Sequence, residues 1–309
     1  MAVEPPTGPL KVLLWTTGRS LSNAFLQCMT YVPDTIAWHE PYSQLGKFSN
    51  VVEGPAVSKT VQELVKTLGG ASAVAKIESG YDASDKDYDW LKEQLESDLP
   101  DGKRMLFAKA HGAYIRRFSL FDKLPQGFRH TFLIRNPKAT MMSKLKMSLK
   151  LQARSVKLPE LPRDQFRIYE YLIELLKYLK AEGLESRPII IDADDLLENP
   201  KEMLEAYCHE VGIPFTEDLL TWPAGDDVMT KMWMTPKQTI LTFGVMGFAE
   251  TTFACTGFKK KPVSTFDANK DDEFLKQFPP AALEKVKAIL EKEMPFYEEM
   301  YRQRLTVTK

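Results

Sequence analysis

Four short runs in the chain are almost wholly apolar: Lys11-Val-Leu-Leu-Trp15, Met105-Leu-Phe-Ala108, His130-Thr-Phe-Leu-Ile134 and Pro188-Ile-Ile-Ile-Asp192. Such runs are too short for buried helices. Without apolar–polar alternation, both faces of each strand must meet apolar neighbours. Each run ends in a polar turn and leads into a helical pattern. Doubly buried strands alternating with helices fit a parallel sheet covered on both sides. The expected fold class is therefore α/β, a three-layer sandwich with a central parallel sheet flanked by helices.

Helical patterns fill much of the remainder. Ser22-Asn23 opens one that runs to about Met29. Residues 164–182 carry a stripe of Phe166, Tyr169, Leu172, Ile173, Leu176 and Leu179, read as a core face rather than a binding box. Asn199 as N-cap and Pro200 in the first turn start a third helix, which Gly212 closes. Residues 280–305 give a charged helix interrupted at Pro295. Segments 48–104 and 222–272 are less regular and are expected to hold loops or helices covering a substrate. No repeat or low-complexity tract is visible. A length of 309 residues suits a single domain, 1–309, with residues 1–10 as a flexible Pro-rich leader.

The bulk numbers restrict the partners. A formal net charge of −1 provides no global basic field for nucleic acid or a membrane surface, so any anion site must be local. Cys28, Cys208 and Cys255 are odd in number and far apart, which fits a reducing compartment and neither a disulfide framework nor a zinc site. The first residues lack a cationic segment followed by an apolar stretch. No apolar run approaches the roughly 18 residues of a membrane span. The expectation is a cytoplasmic protein without nucleic-acid or membrane partners, and its oligomeric state cannot be read.

Three constellations at strand ends carry candidate chemistry. In the first, Thr17-Gly18-Arg19-Ser20-Leu21-Ser22-Asn23 joins an apolar strand to a helix. Such a loop directs backbone N–H groups and the positive helix end at one spot, which suits a phosphate or sulfate, and Arg19 adds a charge. The Walker pattern GxxxxGK[ST] is absent, which weakens an ATPase or kinase reading. In the second, Arg135 follows a buried strand, Asn136-Pro137 turns the chain into a helix, and Ser143 lies about two turns further on. In the third, Lys109-Ala-His111 stands in a loop just beyond a strand, with Lys109 as an electrostatic clamp and His111 as a proton acceptor. Taken singly, each also reads as an ordinary polar turn, ion-pair arginine or loop histidine. His39, His130 and His209 are given no functional role.

Together the three resemble the sulfotransferase family. The loop TTGRSLSNAF looks like the family's 5′-phosphosulfate loop, Arg135 with Ser143 is similar to its 3′-phosphate motif, and Lys109-Ala-His111 resembles the Lys-x-His of its cytosolic members. The stretch Asp194-Asp-Leu-Leu-Glu-Asn-Pro200, leading on to Gly212-Ile-Pro-Phe215, and the ending Pro295-Phe-Tyr297 share the family's look. The chain departs from the family at Arg19, usually Lys, at Ala24, usually an aromatic that stacks on adenine, and at Ala193, often Tyr. The family's late basic loop is only echoed by Lys259-Lys260-Lys261.

The resemblance implies a P-loop-type fold and 3′-phosphoadenosine-5′-phosphosulfate as co-substrate. It implies in-line transfer of the sulfuryl group to a hydroxyl or amine of a small-molecule acceptor, without a metal. His111 is then the base, while Arg19 and Lys109 neutralise charge on the transferring group. Thr17 to Asn23 hold the 5′ side; Arg135 and Ser143 hold the 3′-phosphate, helped by Lys259 and Lys260. Asp192, Asp194 and Asp195 read as a strand-end turn. Met229 to Phe258, including Met232, Trp233, Met234, Phe243, Met246, Phe248 and Phe253, is either core or the wall of an acceptor pocket. A small-molecule kinase and a phosphoadenosine-binding protein without catalysis remain as other readings.

Overall fold

The computed structural model describes residues 8–43, 45, 78–83, 85–153, 167–225, 227–237, 239–240, 254–258 and 273–307. Its centre is a six-stranded sheet of β1 (Leu10–Thr16), β2 (Thr35–His39), β3 (Met105–His111), β4 (Arg129–Ile134), β5 (Ile189–Asp192) and β6 (Trp233–Met234), in the order β5-β4-β1-β3-β2-β6. Every pairing is parallel. All four apolar runs are strands of this sheet. Two strands escaped the sequence reading. Thr35-Ile-Ala-Trp-His39 is short and mixed, and Trp233-Met234 spans only two residues, so neither carries a recognisable period.

The helices are α1 (Ser22–Thr30), α2 (Tyr88–Glu96), α3 (Ala113–Arg117), α4 (Pro137–Ala153), α5 (Ile168–Ala181), α6 (Ala193–Glu198), α7 (Pro200–Val211) and α8 (Pro280–Tyr301). Strand side chains alternate between two cores, one on each face of the sheet. Val12 and Leu14 of β1 join Phe25, Met29, Leu204 and Tyr207 beneath α1 and α7. Leu13 and Trp15 join Leu91, Leu172, Leu176 and Tyr297 beneath α2, α5 and α8. Burying each large side chain contributes about 1.5–3 kcal/mol, which explains why β1, apolar on both faces, is central.

Several boundaries moved. His111 closes β3 and Lys109 lies within that strand, rather than in a loop beyond it. The segment from 48 to 104 holds α2, capped by Asp87, whose side chain accepts from the Trp90 backbone. Asn199 stands at the start of α7 but makes no side-chain cap bond, while Gly212, at φ 89°, closes it as expected. Asp192 does form the strand-end turn, accepting from the backbones of Asp194 and Asp195, and this turn opens the short helix α6. Pro295 does not interrupt α8. A proline inside a helix costs about 3 kcal/mol, and anchors on both sides hold this one: Glu293 accepts from the Tyr169 backbone at 2.5 Å, and Tyr297 donates to Asp192 at 2.9 Å. Among the described residues, no helix is long and apolar enough to cross a membrane.

Candidate active site at the carboxyl edge of the sheet

Register brings the strand ends level: Thr16 pairs with both His111 and Leu133, so the chain leaves β1, β3 and β4 at one rim. Neighbouring β1 and β4 feed opposite sides of the sheet. After β1 the chain crosses to β2 beyond β3, and after β4 it moves outward to β5. Such a reversal opens a crevice between the two outgoing loops, where ligands bind in open α/β sheets.

The loop after β1 forms one lip of that crevice. Arg19 (φ 71°) and Leu21 (φ 66°) are left-handed, whereas Gly18 and Ser20 are not. Non-glycine residues held there store backbone strain of order 1 kcal/mol each, and alternating handedness points successive N–H groups into one concavity suited to an anion. Leu21 precedes α1 without a side-chain cap, leaving the helix N–H groups to a ligand. The Ser20 hydroxyl, expected as a ligand donor, is fully buried. It donates to the Thr17 carbonyl at 2.7 Å and lies 2.6 Å from the Thr16 hydroxyl, so it braces the loop and offers a ligand only its backbone.

Arg135 and Ser143 form the other lip. Asn136 accepts from the Lys138 backbone at 2.9 Å and starts α4, which carries Ser143 back to the loop. There the Ser143 hydroxyl accepts from Arg19 Nε at 3.0 Å, and Arg135 Nη1 donates to the Arg19 carbonyl at 3.2 Å. Two guanidinium groups thus share one rim. Burial pulls Arg19 below its ordinary pKa, and the Arg135 charge adds to the effect. Arg135 is aimed by Asp194, which accepts from its Nε at 3.1 Å, and by Tyr169, whose hydroxyl bonds both its backbone N–H and its carbonyl. Lys144, next to Ser143, is a further cation that the sequence reading missed. Burial lowers it to about 8, Glu293 opposes that shift, and Arg19 adds to it.

Beside this rim lies a second cluster. Glu40, just after β2, is left-handed at φ 51° and 3% exposed. Its Oε1 takes the Lys109 ammonium and lies 3.1 Å from His111 Nε2, and its Oε2 accepts from the His111 backbone at 3.1 Å. Lys109 also donates to Asn23 Oδ1 at 2.7 Å, and His39 Nε2 lies 3.2 Å from that oxygen. Burial alone would raise the Glu40 carboxyl, but His111, Lys109 and His39 outweigh it and hold it at about 2. Burial lowers His111 to about 4 against the upward pull of Glu40, with Lys109 and Lys144 lowering it further. The shift favours the neutral imidazole over the imidazolium.

Two glycines place His111. A Cβ on Gly112 would lie 2.5 Å from the Leu172 side chain, which would have to shift, so the glycine lets the end of β3 sit close against α5. A Cβ on Gly18 would lie 3.7 Å from His111 Cε1, which puts the imidazole directly against the anion loop. His39 and His130 are both buried. His130 stacks on Trp15 and accepts from its indole N–H at 3.0 Å, an ordinary core role, whereas His39 joins the polar cluster and stacks on Trp233.

The structure thus brings together Thr17 to Asn23, Arg135, Ser143, Lys109 and His111. Lys259 and Lys260 lie outside the described residues, as do Phe243, Met246, Phe248 and Phe253. Met229, Trp233 and Phe258 are core residues, and Met232 is exposed. Glu40, Asp194, Tyr169 and Lys144 were not anticipated as site residues. The Asp-Asp turn was the nearest signal, and Glu40 follows a strand with no legible pattern.

Residues 182–264 match a family model described as a sulfotransferase domain. The matched span contains β5, α6 and α7, including Asp194, and not the loops that carry Arg19, Glu40, His111 or Arg135. Among solved structures, the sulfotransferase domain from the Synechococcus PCC 7002 olefin synthase is similar at 16% identity and a TM-score of 0.39, over 72% of this chain and 80% of that one. The sulfotransferase domain from the curacin biosynthetic pathway is similar at 14% identity and a TM-score of 0.39, over 88% of this chain and 98% of that one. No curated protein sequence matches the chain.

Proposed function

We propose that this chain is a sulfotransferase that moves a sulfuryl group from 3′-phosphoadenosine-5′-phosphosulfate to a hydroxyl or amine of a small-molecule acceptor, without a metal. The observation that carries the reading is the meeting of Arg19, Arg135 and Ser143 over an uncapped helix start, with His111 against the same loop. The sulfotransferase-domain match over residues 182–264 supports it.

The donor set suits a polyanion. It consists of backbone N–H groups, two guanidiniums and one serine hydroxyl, grouped at a sheet edge with few carboxylates. The loop 17–23 holds the 5′ side and Arg135 with Ser143 holds the 3′-phosphate. Arg19 stands between them, its planar fork suited to sulfuryl oxygens and permanently charged. Positive charge fixed in advance where negative charge spreads is the main means of catalysis in such transfers. His111, neutral at pH 7, takes the acceptor proton.

The test is a transfer assay with labelled phosphosulfate donor and a panel of phenols, aliphatic alcohols and amines. His111→Ala is expected to lower turnover by at least about 10²-fold while adenosine 3′,5′-bisphosphate still binds. Turnover of ATP with magnesium, or tight bisphosphate binding without transfer to any acceptor, would replace the reading by a kinase or by a binding protein.

A further inference from the structure

We infer that Glu40 and Lys109 are positioning residues for His111: the carboxylate, kept ionised by the buried ammonium, holds imidazole Nε2–H and leaves Nδ1 as the nitrogen that receives the acceptor proton. The inference rests on the role proposed for His111 and gives Lys109 a task other than neutralising the transferring group.

Lys109 and Glu40 are 1% and 3% exposed, and apart from Lys109 the buried residues of β3 are apolar. A buried ion pair is a poor stabiliser, since well-packed apolar residues of similar volume are often neutral or better. Its retention at a sheet edge therefore calls for another reason. The geometry supplies one, because both Glu40 oxygens engage residue 111, one at the ring nitrogen and one at the backbone, and the Glu40 backbone N–H donates to the Lys109 carbonyl at 2.8 Å. Strand β2, strand β3 and the imidazole are locked together, and a non-glycine residue is held left-handed to do it. With Nε2 facing a carboxylate, the neutral ring carries its proton there, and among the described residues Nδ1 has no hydrogen-bond partner.

The step balances. The acceptor oxygen bonds to sulfur, its proton passes to Nδ1, and the sulfur–oxygen bond to the donor phosphate breaks with its electron pair remaining on the phosphate. The imidazolium so formed stays beside Glu40, which offsets its charge. This arrangement follows the logic of a carboxylate that fixes a histidine tautomer in hydrolytic triads.

The experiment uses the full chain with Lys109→Met and Glu40→Gln together, so that no buried charge is left unpaired and the variant folds. Nitrogen NMR reads the His111 tautomer, and the transfer assay reads turnover and donor KM against pH. The expected wild-type state is the Nε2–H tautomer. In the double variant that preference is lost, turnover falls at least about tenfold, and the acid limb of turnover moves to lower pH because the imidazolium has lost its carboxylate. A folded double variant with wild-type turnover, pH limb and tautomer overturns the inference, as does an Nδ1–H tautomer in the wild type. If the wild type transfers no sulfuryl group to any acceptor, the proposed function fails, and the tautomer measurement by itself still decides whether Glu40 positions His111.

Discussion

Two polar clusters share one sheet edge and differ in how their charge is met. Around Arg19, Arg135 and Lys144, cations gather with Asp194 and Glu293 as their carboxylate partners, and the Arg19 carbonyl accepts from Arg135. Around Glu40, the charges of Lys109 and Glu40 cancel within a buried pair, and the ammonium and both carboxylate oxygens have protein partners. The first holds more cations than carboxylates. The second meets its charge within the protein, with an imidazole against its carboxylate. Positive charge at a strand end is thus a poor guide to role until its partners are known.

This contrast can be broken in four ways, taken from the largest effect downward. Glu40→Ala strands the Lys109 ammonium in the interior and should lower stability by about 3–5 kcal/mol. Arg135→Ala, at the half-buried rim, should lose far less. Urea unfolding of the two variants decides whether the clusters differ as described, and equal losses would erase the distinction. Arg135→Ala should instead weaken adenosine 3′,5′-bisphosphate binding by about 10–100-fold, read by calorimetry, because charge-assisted hydrogen bonds to an anion disappear.

A pH series sharpens the same point. Lys144 keeps its charge below about pH 8 and loses it above. Bisphosphate affinity should therefore fall as pH rises through 8, by up to about tenfold, and Lys144→Arg should flatten the fall. A wild-type affinity that stays constant to pH 9.5 would place Lys144 outside the anion site. Ser143→Ala is the mildest test. It removes one hydroxyl that accepts from Arg19, and affinity should drop about fivefold, the effect of a single hydrogen bond near 1 kcal/mol.

Glu40 shows why part of the site was hidden. Its strand, Thr35–His39, is short and lacks an apolar run, so nothing local announces that a carboxylate will be carried to the end of β3. His39 and Glu40 stand directly before Pro41, and no periodic pattern marks them. They reach Lys109 because β2 pairs with β3 in a register that sets His39 opposite Lys109, a long-range fact absent from either segment. Lys109-Ala-His111 was legible as a pair, whereas its division of labour was not. Alternation along β3 sends Lys109 inward to Glu40, and only packing reveals what waits there. By contrast, Arg19, Arg135 and Ser143 were legible because each sits at a fixed offset from a recognisable strand or helix start.

By itself, the sequence determined the layered α/β architecture, since apolar runs four or five residues long can be buried only as interior strands. It also determined that polar loops carrying Arg19 and Arg135 leave the ends of β1 and β4, because turn chemistry and helix starts are local properties. Tertiary structure alone decided which cations remain available to a ligand and which are neutralised within the protein. That outcome depends on strand order and register, which bring residues 40, 109 and 111 together through contacts that no short stretch of chain encodes.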